Sequence, residues 1–145
     1  MRHVTIVPEW AKKWILTNSQ VVVDETTYIV HILSRNLEPR LPGFVGFPKG
    51  EFLFASEDVP EHFRPHIIAH EVREFTTLVG QKGRCLASLK QELAEVPAEI
   101  LAGYTAYRRH FFDRLIRFYE TADGMDEFKA EIAASHDFLV ELTGS

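Results

Sequence analysis

The chain has a single cysteine, Cys85, in 145 residues. One thiol cannot close an internal disulfide or build a cysteine-based zinc site, so packing must hold the fold and a reducing compartment suits it. Long apolar runs are missing as well. No stretch approaches the roughly 18 consecutive apolar residues of a membrane span. The opening MRHVTIVPEW also lacks the apolar segment of a signal peptide. The expectation is a cytoplasmic protein with no membrane partner. Positive charge is scarce too, with 16 Lys and Arg against 21 Asp and Glu, a net charge of −5. General nucleic-acid binders draw affinity from clustered cations meeting phosphates, so no nucleic-acid partner is expected. The one local basic cluster, Arg108, Arg109, Arg114 and Arg117, reads as the solvated face of a helix.

Several catalytic signatures are absent. Gly43-Phe44-Val45-Gly46 is followed by no Lys-Ser/Thr on a helix and is not a phosphate loop. There is no Gly-x-Ser-x-Gly elbow, and Cys85 has no evident base. What is present is a composition of 46% hydrophobic and 26% charged residues, that of a soluble globular protein. The length suits a single α+β domain over residues 1–145.

Pro8 to Leu16 reads as a short helix, with Pro at a first-turn position and Trp10 and Trp14 as anchors to the core. Gln20 to Ser34 is rich in Val, Ile, Thr and Tyr around Asp24-Glu25-Thr26-Thr27, either two strands about a turn or one bent strand. His31 within it reads as a hydrogen-bonded sheet histidine. Asn36 to Pro42 reads as a loop. Phe44 to Phe47 and Glu51 to Ala55 flank Pro48-Lys49-Gly50 as a hairpin, with Phe52 and Phe54 on one face and Leu53 and Ala55 on the other. Downstream, a helix from Arg84 carries Leu86, Leu89, Leu93, Val96 and Ile100 as a core stripe. Glu92 borders that stripe and Glu95 points away from it. Pro97 either kinks this helix or begins a new one. A long helix to Glu120 has an aromatic stripe through Tyr104, Tyr107 and Phe111, and a last amphipathic helix covers Asp126 to Leu142. The fold expected is a helix and a small, mostly antiparallel sheet packed on a motif helix, followed by C-terminal helices.

The motif helix is the stretch from Pro60 to Gly83, with Pro60 and Pro65 at its start and Gly80 and Gly83 as its stop. On a helical wheel, Ile68, Val72, Phe75 and Val79 share an arc of roughly 60°, an ordinary core stripe. His70, Glu74 and Glu71 share a neighbouring sector with Ile67 and Leu78, where a purely solvated face would carry no large apolar residues. His66 lies further round and should be more exposed than His70.

His70-Glu71-Val72-Arg73-Glu74 differs in one position from the His-Glu-x-x-His helix motif, and with its flanking elements it resembles the minimal core of the zincin metallopeptidases over about residues 8 to 100. The resemblance implies a metal-dependent hydrolase acting on a peptide or protein, which would add as a strand along Glu51 to Ala55. It makes His70 the first metal ligand, Glu71 the general base, and Glu74 the second ligand where the family has His. Glu92 becomes the third ligand, with Glu95 as the alternative. The implied cofactor is a divalent metal, zinc in the first place. Two carboxylates shift the preference toward manganese or iron and weaken the Lewis acidity, so hydrolysis should be slower than the family norm. The competing expectation is a catalytically inactive zincin-like module that binds or regulates another protein. A third is an unrelated α+β binding protein.

Overall fold

The structure is a computed structural model of the chain, and residues 2–37 and 43–144 of it are described. It is an α+β protein made of two compact units, Met1–Thr77 and Leu78–Ser145. The first holds the sheet and the motif helix; the second is helical. Most of the loop expected over Asn36 to Pro42 lies outside the described residues.

In the first unit, the helix expected over Pro8 to Leu16 is only a 3-10 helix, Glu9–Trp14. Ile15 and Leu16 already belong to strand β1, Ile15–Val23, because the β-branched Ile15, Thr17 and Val21 to Val23 suit a pleated surface better than a helix. Ala11, fully buried, anchors the 3-10 turn, whereas Trp10 keeps 49% of its surface and packs edge-on against Phe52 and Phe54. The β-rich segment is two strands. β1 turns into β2, Thr26–Leu33, through Asp24 and Glu25, both at positive φ (48° and 71°), as a two-residue hairpin turn requires.

The sheet order is β1-β2-β4-β3, with β3 at Val45–Gly46 and β4 at Phe54–Ser56. β1 and β2 are antiparallel, β2 and β4 parallel, and β3 and β4 antiparallel. The expected hairpin therefore exists with shorter strands. Its second strand is not the sheet edge, which removes the edge expected along Glu51 to Ala55 as a place for substrate to add. β4 is interior because β2 pairs with it on one side and β3 on the other. The alternation within it holds, since Leu53 and Ala55 enter one core and Phe52 and Phe54 the other.

β2 is buried on both faces. Tyr28, Val30 and Ile32 join Val23, Leu53, Ala55 and Phe47 in the main core, which α1 (Arg64–Glu74) closes with Ile68 and Val72. Each of those two side chains contributes about 1.5–3 kcal/mol by burial. Leu33 turns the other way, onto Ala11, Leu37 and Phe52. Gly46 lets Phe54 lie across β3, since a Cβ there would stand 2.6 Å from the ring.

In the second unit, α2 (Arg84–Glu95), α3 (Ala98–Tyr119) and α4 (Asp126–Thr143) follow one another. Val96, held extended (ψ 130°) by the proline that follows it, ends α2, and Pro97, extended in turn (ψ 141°), stands just ahead of α3.

 Pro8, with ψ 150°, stands extended in the same way ahead of Glu9–Trp14. The buried face of α2 is Cys85, Ser88, Leu89 and Glu92, turned slightly from the leucine stripe, with Leu86 and Leu93 only half-buried. Glu131 of α4 caps α2 by accepting from the Cys85 N–H at 3.1 Å. α3 and α4 form a helical hairpin whose turn is tied by Lys129 Nζ, donating to the Ala122 carbonyl at 2.6 Å. Ile132 and Leu139 of α4 and Phe112 of α3 are buried. Among the described residues no helix is long and apolar enough to cross a membrane.

Candidate functional site

α1 is shorter than the stretch from Pro60 to Gly83 suggests. It starts with Pro65 in its first turn, and ends at Glu74, where the Phe75 N–H turns back to the Val72 and Arg73 carbonyls. Thr76 and Thr77 follow, and the Thr76 hydroxyl donates to the Val72 carbonyl at 2.9 Å, taking an acceptor from the last turn. Val79 lies beyond the helix and is 58% exposed, so it is no part of the core stripe.

The four-residue spacing stacks His70 and Glu74 on one side of α1. His70 is buried and its Nε2 lies 3.1 Å from Glu74 Oε1, with the Glu74 side chain 15% exposed. His66 is more exposed than His70, and Glu71 is half-buried. Of the four residues expected at the site, the structure thus brings His70 and Glu74 together, with Glu71 beside them on the same helix. A nitrogen and an oxygen 3.1 Å apart fit a hydrogen bond. They also fit two ligands of one divalent ion, whose bonds of about 2.0–2.2 Å span such a gap near the tetrahedral or octahedral angle. The donor chemistry therefore suits a metal, and it supplies two ligands.

Arg73, which the wheel places in the arc outside the apolar stripe, is buried at 4% exposure. Its guanidinium crosses to Asp24 in the β1–β2 turn, with Nε 3.2 Å from Oδ2 and Nη2 3.3 Å from Oδ1. A fork of this kind fixes direction as well as distance, so it locks the C-terminal turn of α1, and with it Glu74, to the hairpin. The wheel could not show this because the partner is a turn residue far away in sequence.

Glu92 turns inward as expected, and Glu95 is exposed. The Glu92 carboxylate is held within the helical unit. Arg108 Nε lies 2.8 Å from its Oε2 and Nη2 donates to Oε1 at 3.0 Å, while the Tyr104 hydroxyl also donates to Oε2. Arg108 corrects the reading of the basic cluster as a solvated face: it is 2% exposed and its guanidinium lies over the Phe111 and Phe112 rings. Burial alone would lower the Arg108 pKa, but the Glu92 charge outweighs it and the group stays firmly protonated. Burial and the same carboxylate push the Tyr104 hydroxyl above its ordinary range. The sequence did hold a signal for Arg108, which stands four residues from Tyr104 and four from Phe112, on the aromatic side of α3.

His31 is buried in β2, with Nδ1 2.6 Å from Asn18 Oδ1 and its ring 5.2 Å from that of Phe52. The Asn18 carbonyl makes Nδ1 the protonated nitrogen. Nε2 is then a buried acceptor without a hydrogen-bond partner among the described residues, and burial lowers the pKa of the ring. The reading of a satisfied sheet histidine holds for one nitrogen of the two. Cys85 is also buried, with the Ser135 hydroxyl 3.1 Å from its sulfur.

No family model, curated protein or solved structure matches this chain.

Proposed function

We propose that this chain binds a divalent metal ion through His70 and Glu74 and acts as a slow peptidase-like hydrolase, with Glu71 as its general base. The observation that carries the reading is the buried His70 Nε2 held 3.1 Å from Glu74 Oε1. A divalent ion bound there would supply Lewis acidity. His70 and Glu74 would orient it, and one carboxylate beside one imidazole suits zinc, manganese or iron. Glu71, next in the chain to His70 and half-buried, would take the proton from an attacking water. Arg73, tied to Asp24, would keep this end of α1 in place while it does so.

One observation favours a second reading, a non-catalytic module that binds another protein. Glu92, the acid the zincin resemblance makes the third ligand, already has both carboxylate oxygens engaged by Arg108 and Tyr104. On that reading the His70–Glu74 pair is a hydrogen bond that stabilises α1.

Elemental mass spectrometry of protein purified without chelator or metal affinity separates the two. Near-stoichiometric zinc, manganese or iron that is lost in His70→Ala supports the metal centre. Metal-free wild-type protein with unchanged stability in chelator rejects it. Glu92→Gln tests the third ligand, since retained metal in that variant excludes Glu92 from the set.

A further inference from the structure

β1 is an outer strand of the sheet, and it carries few of the devices that usually keep an edge from pairing. Ile15–Val23 reads ILTNSQVVV, with no charge and no proline, and its one irregularity lies at the start, between Ile15 and Thr17. Hydrogen bonding fixes which backbone groups face outward. His31 N–H donates to the Leu53 carbonyl at 3.0 Å, so the odd residues of β2 face β4 and the even ones face β1. Those even residues stand opposite Thr17, Ser19, Val21 and Val23. Asn18, Gln20 and Val22 therefore turn N–H and C=O away from the sheet.

We propose that this edge pairs with the same edge of a second copy, antiparallel about a two-fold axis at Ser19, making one continuous sheet. The ends of the strand argue for this occupant. Lys12 and Lys13 precede β1, and Asp24 and Glu25 follow it. Antiparallel pairing about Ser19 brings the end of each β1 that follows Lys12 and Lys13 of the 3-10 turn beside the end of the other that leads into Asp24 and Glu25, and Lys13 and Glu25 are exposed. It also brings Leu16, at the irregularity, near Val22, and the two are 56% and 66% exposed in the single chain. Asn18 and Gln20 face each other with outward backbone groups, and no like charges meet. A slip of two residues either way is disfavoured, because it parts Leu16 from Val22 and carries it toward Asp24 or Gln20. An isologous pairing repeats each of these contacts twice.

Light scattering coupled to size exclusion, run from low micromolar to sub-millimolar protein, reads the assembly. A concentration-dependent dimer is expected. Gln20→Pro removes an outward N–H and leaves the β2 ladder intact, so the dissociation constant should rise by about tenfold or more. Gln20→Lys places a charge on the edge and should act in the same direction if the proline variant does not fold. Lys13→Glu should weaken the dimer, and Lys13→Glu with Glu25→Lys should restore it. Ser19→Cys tests the register directly, because two such residues at the axis have Cα atoms about 4.5 Å apart, within disulfide reach. Mild oxidation should cross-link Ser19→Cys and leave Thr17→Cys uncross-linked. A monomer at every concentration overturns the proposal. So does a dimer that Gln20→Lys leaves unchanged and Ser19→Cys fails to cross-link.

Discussion

Arg108 holds its Nε 2.8 Å from the Glu92 carboxylate with both side chains closed off from solvent. Two charges taken out of water are tolerated there because each answers the other, Tyr104 adds a hydrogen bond, and aromatic rings face the guanidinium. Removing one partner strands the other. Glu92→Ala should cost about 3–5 kcal/mol in chemical denaturation. Glu92→Leu combined with Arg108→Met should cost less than either single change, and an additive double mutant would show that the pair is not coupled.

The Gly46 backbone passes so close to Phe54 that a methyl group would sit 2.6 Å from one ring carbon and 2.9 Å from another. Gly46→Ala should therefore destabilise the sheet unit by about 1–3 kcal/mol, the usual cost of overpacking. Phe54→Leu in the same chain makes room, and the two changes together should recover part of that loss in a urea titration.

His31 makes stability depend on pH. Burial lowers its pKa below the ordinary 6.5, so the unfolded chain binds more protons than the folded one as pH falls through that value. The stability present above about pH 6.5 should decline from there downward, through the folded-state pKa. His31→Gln removes the titrating group. Its thermal midpoint should change less between pH 7 and pH 5 than that of the parent, and equal slopes would exclude His31 as a source.

Glu71→Gln separates chemistry from metal binding. On the proposed mechanism it removes the base and leaves His70 and Glu74 untouched, so metal content should persist while peptide hydrolysis falls by about 10²–10⁴-fold. Hydrolysis that survives in Glu71→Gln would assign the base to another residue.

The amphipathic patterns made most of this legible. Phe52 and Phe54 separated from Leu53 and Ala55 by alternation alone, and Glu92 was placed inward by its position beside the leucine stripe. His70 was placed inside relative to His66 in the same way. What the patterns could not carry was pairing between distant residues. Arg108 reads as one of four surface cations because its partner lies on another helix, and the wheel gives Arg73 no partner because that partner lies in a distant turn. α1 looked long because Val79 continued its apolar period, although Thr76 competes for the last carbonyls and the helix stops at Glu74. The interior place of β4 follows from a parallel pairing with β2 that no local period encodes.

That parallel pairing also sets an order of assembly. β1 and β2 meet through a two-residue turn, and a hairpin of this kind closes in microseconds. His31 meets Phe54 only after the chain between them has been brought round, and the entropy of closing that loop precedes any hydrogen bond it earns. The β1–β2 hairpin is therefore expected to form before β4 docks on it, and until then both edges of the hairpin are open. The arrival of β4 is therefore the expected slow step in folding this unit, and a chain delayed there exposes β2, which the finished sheet buries on both faces, to any other strand in solution.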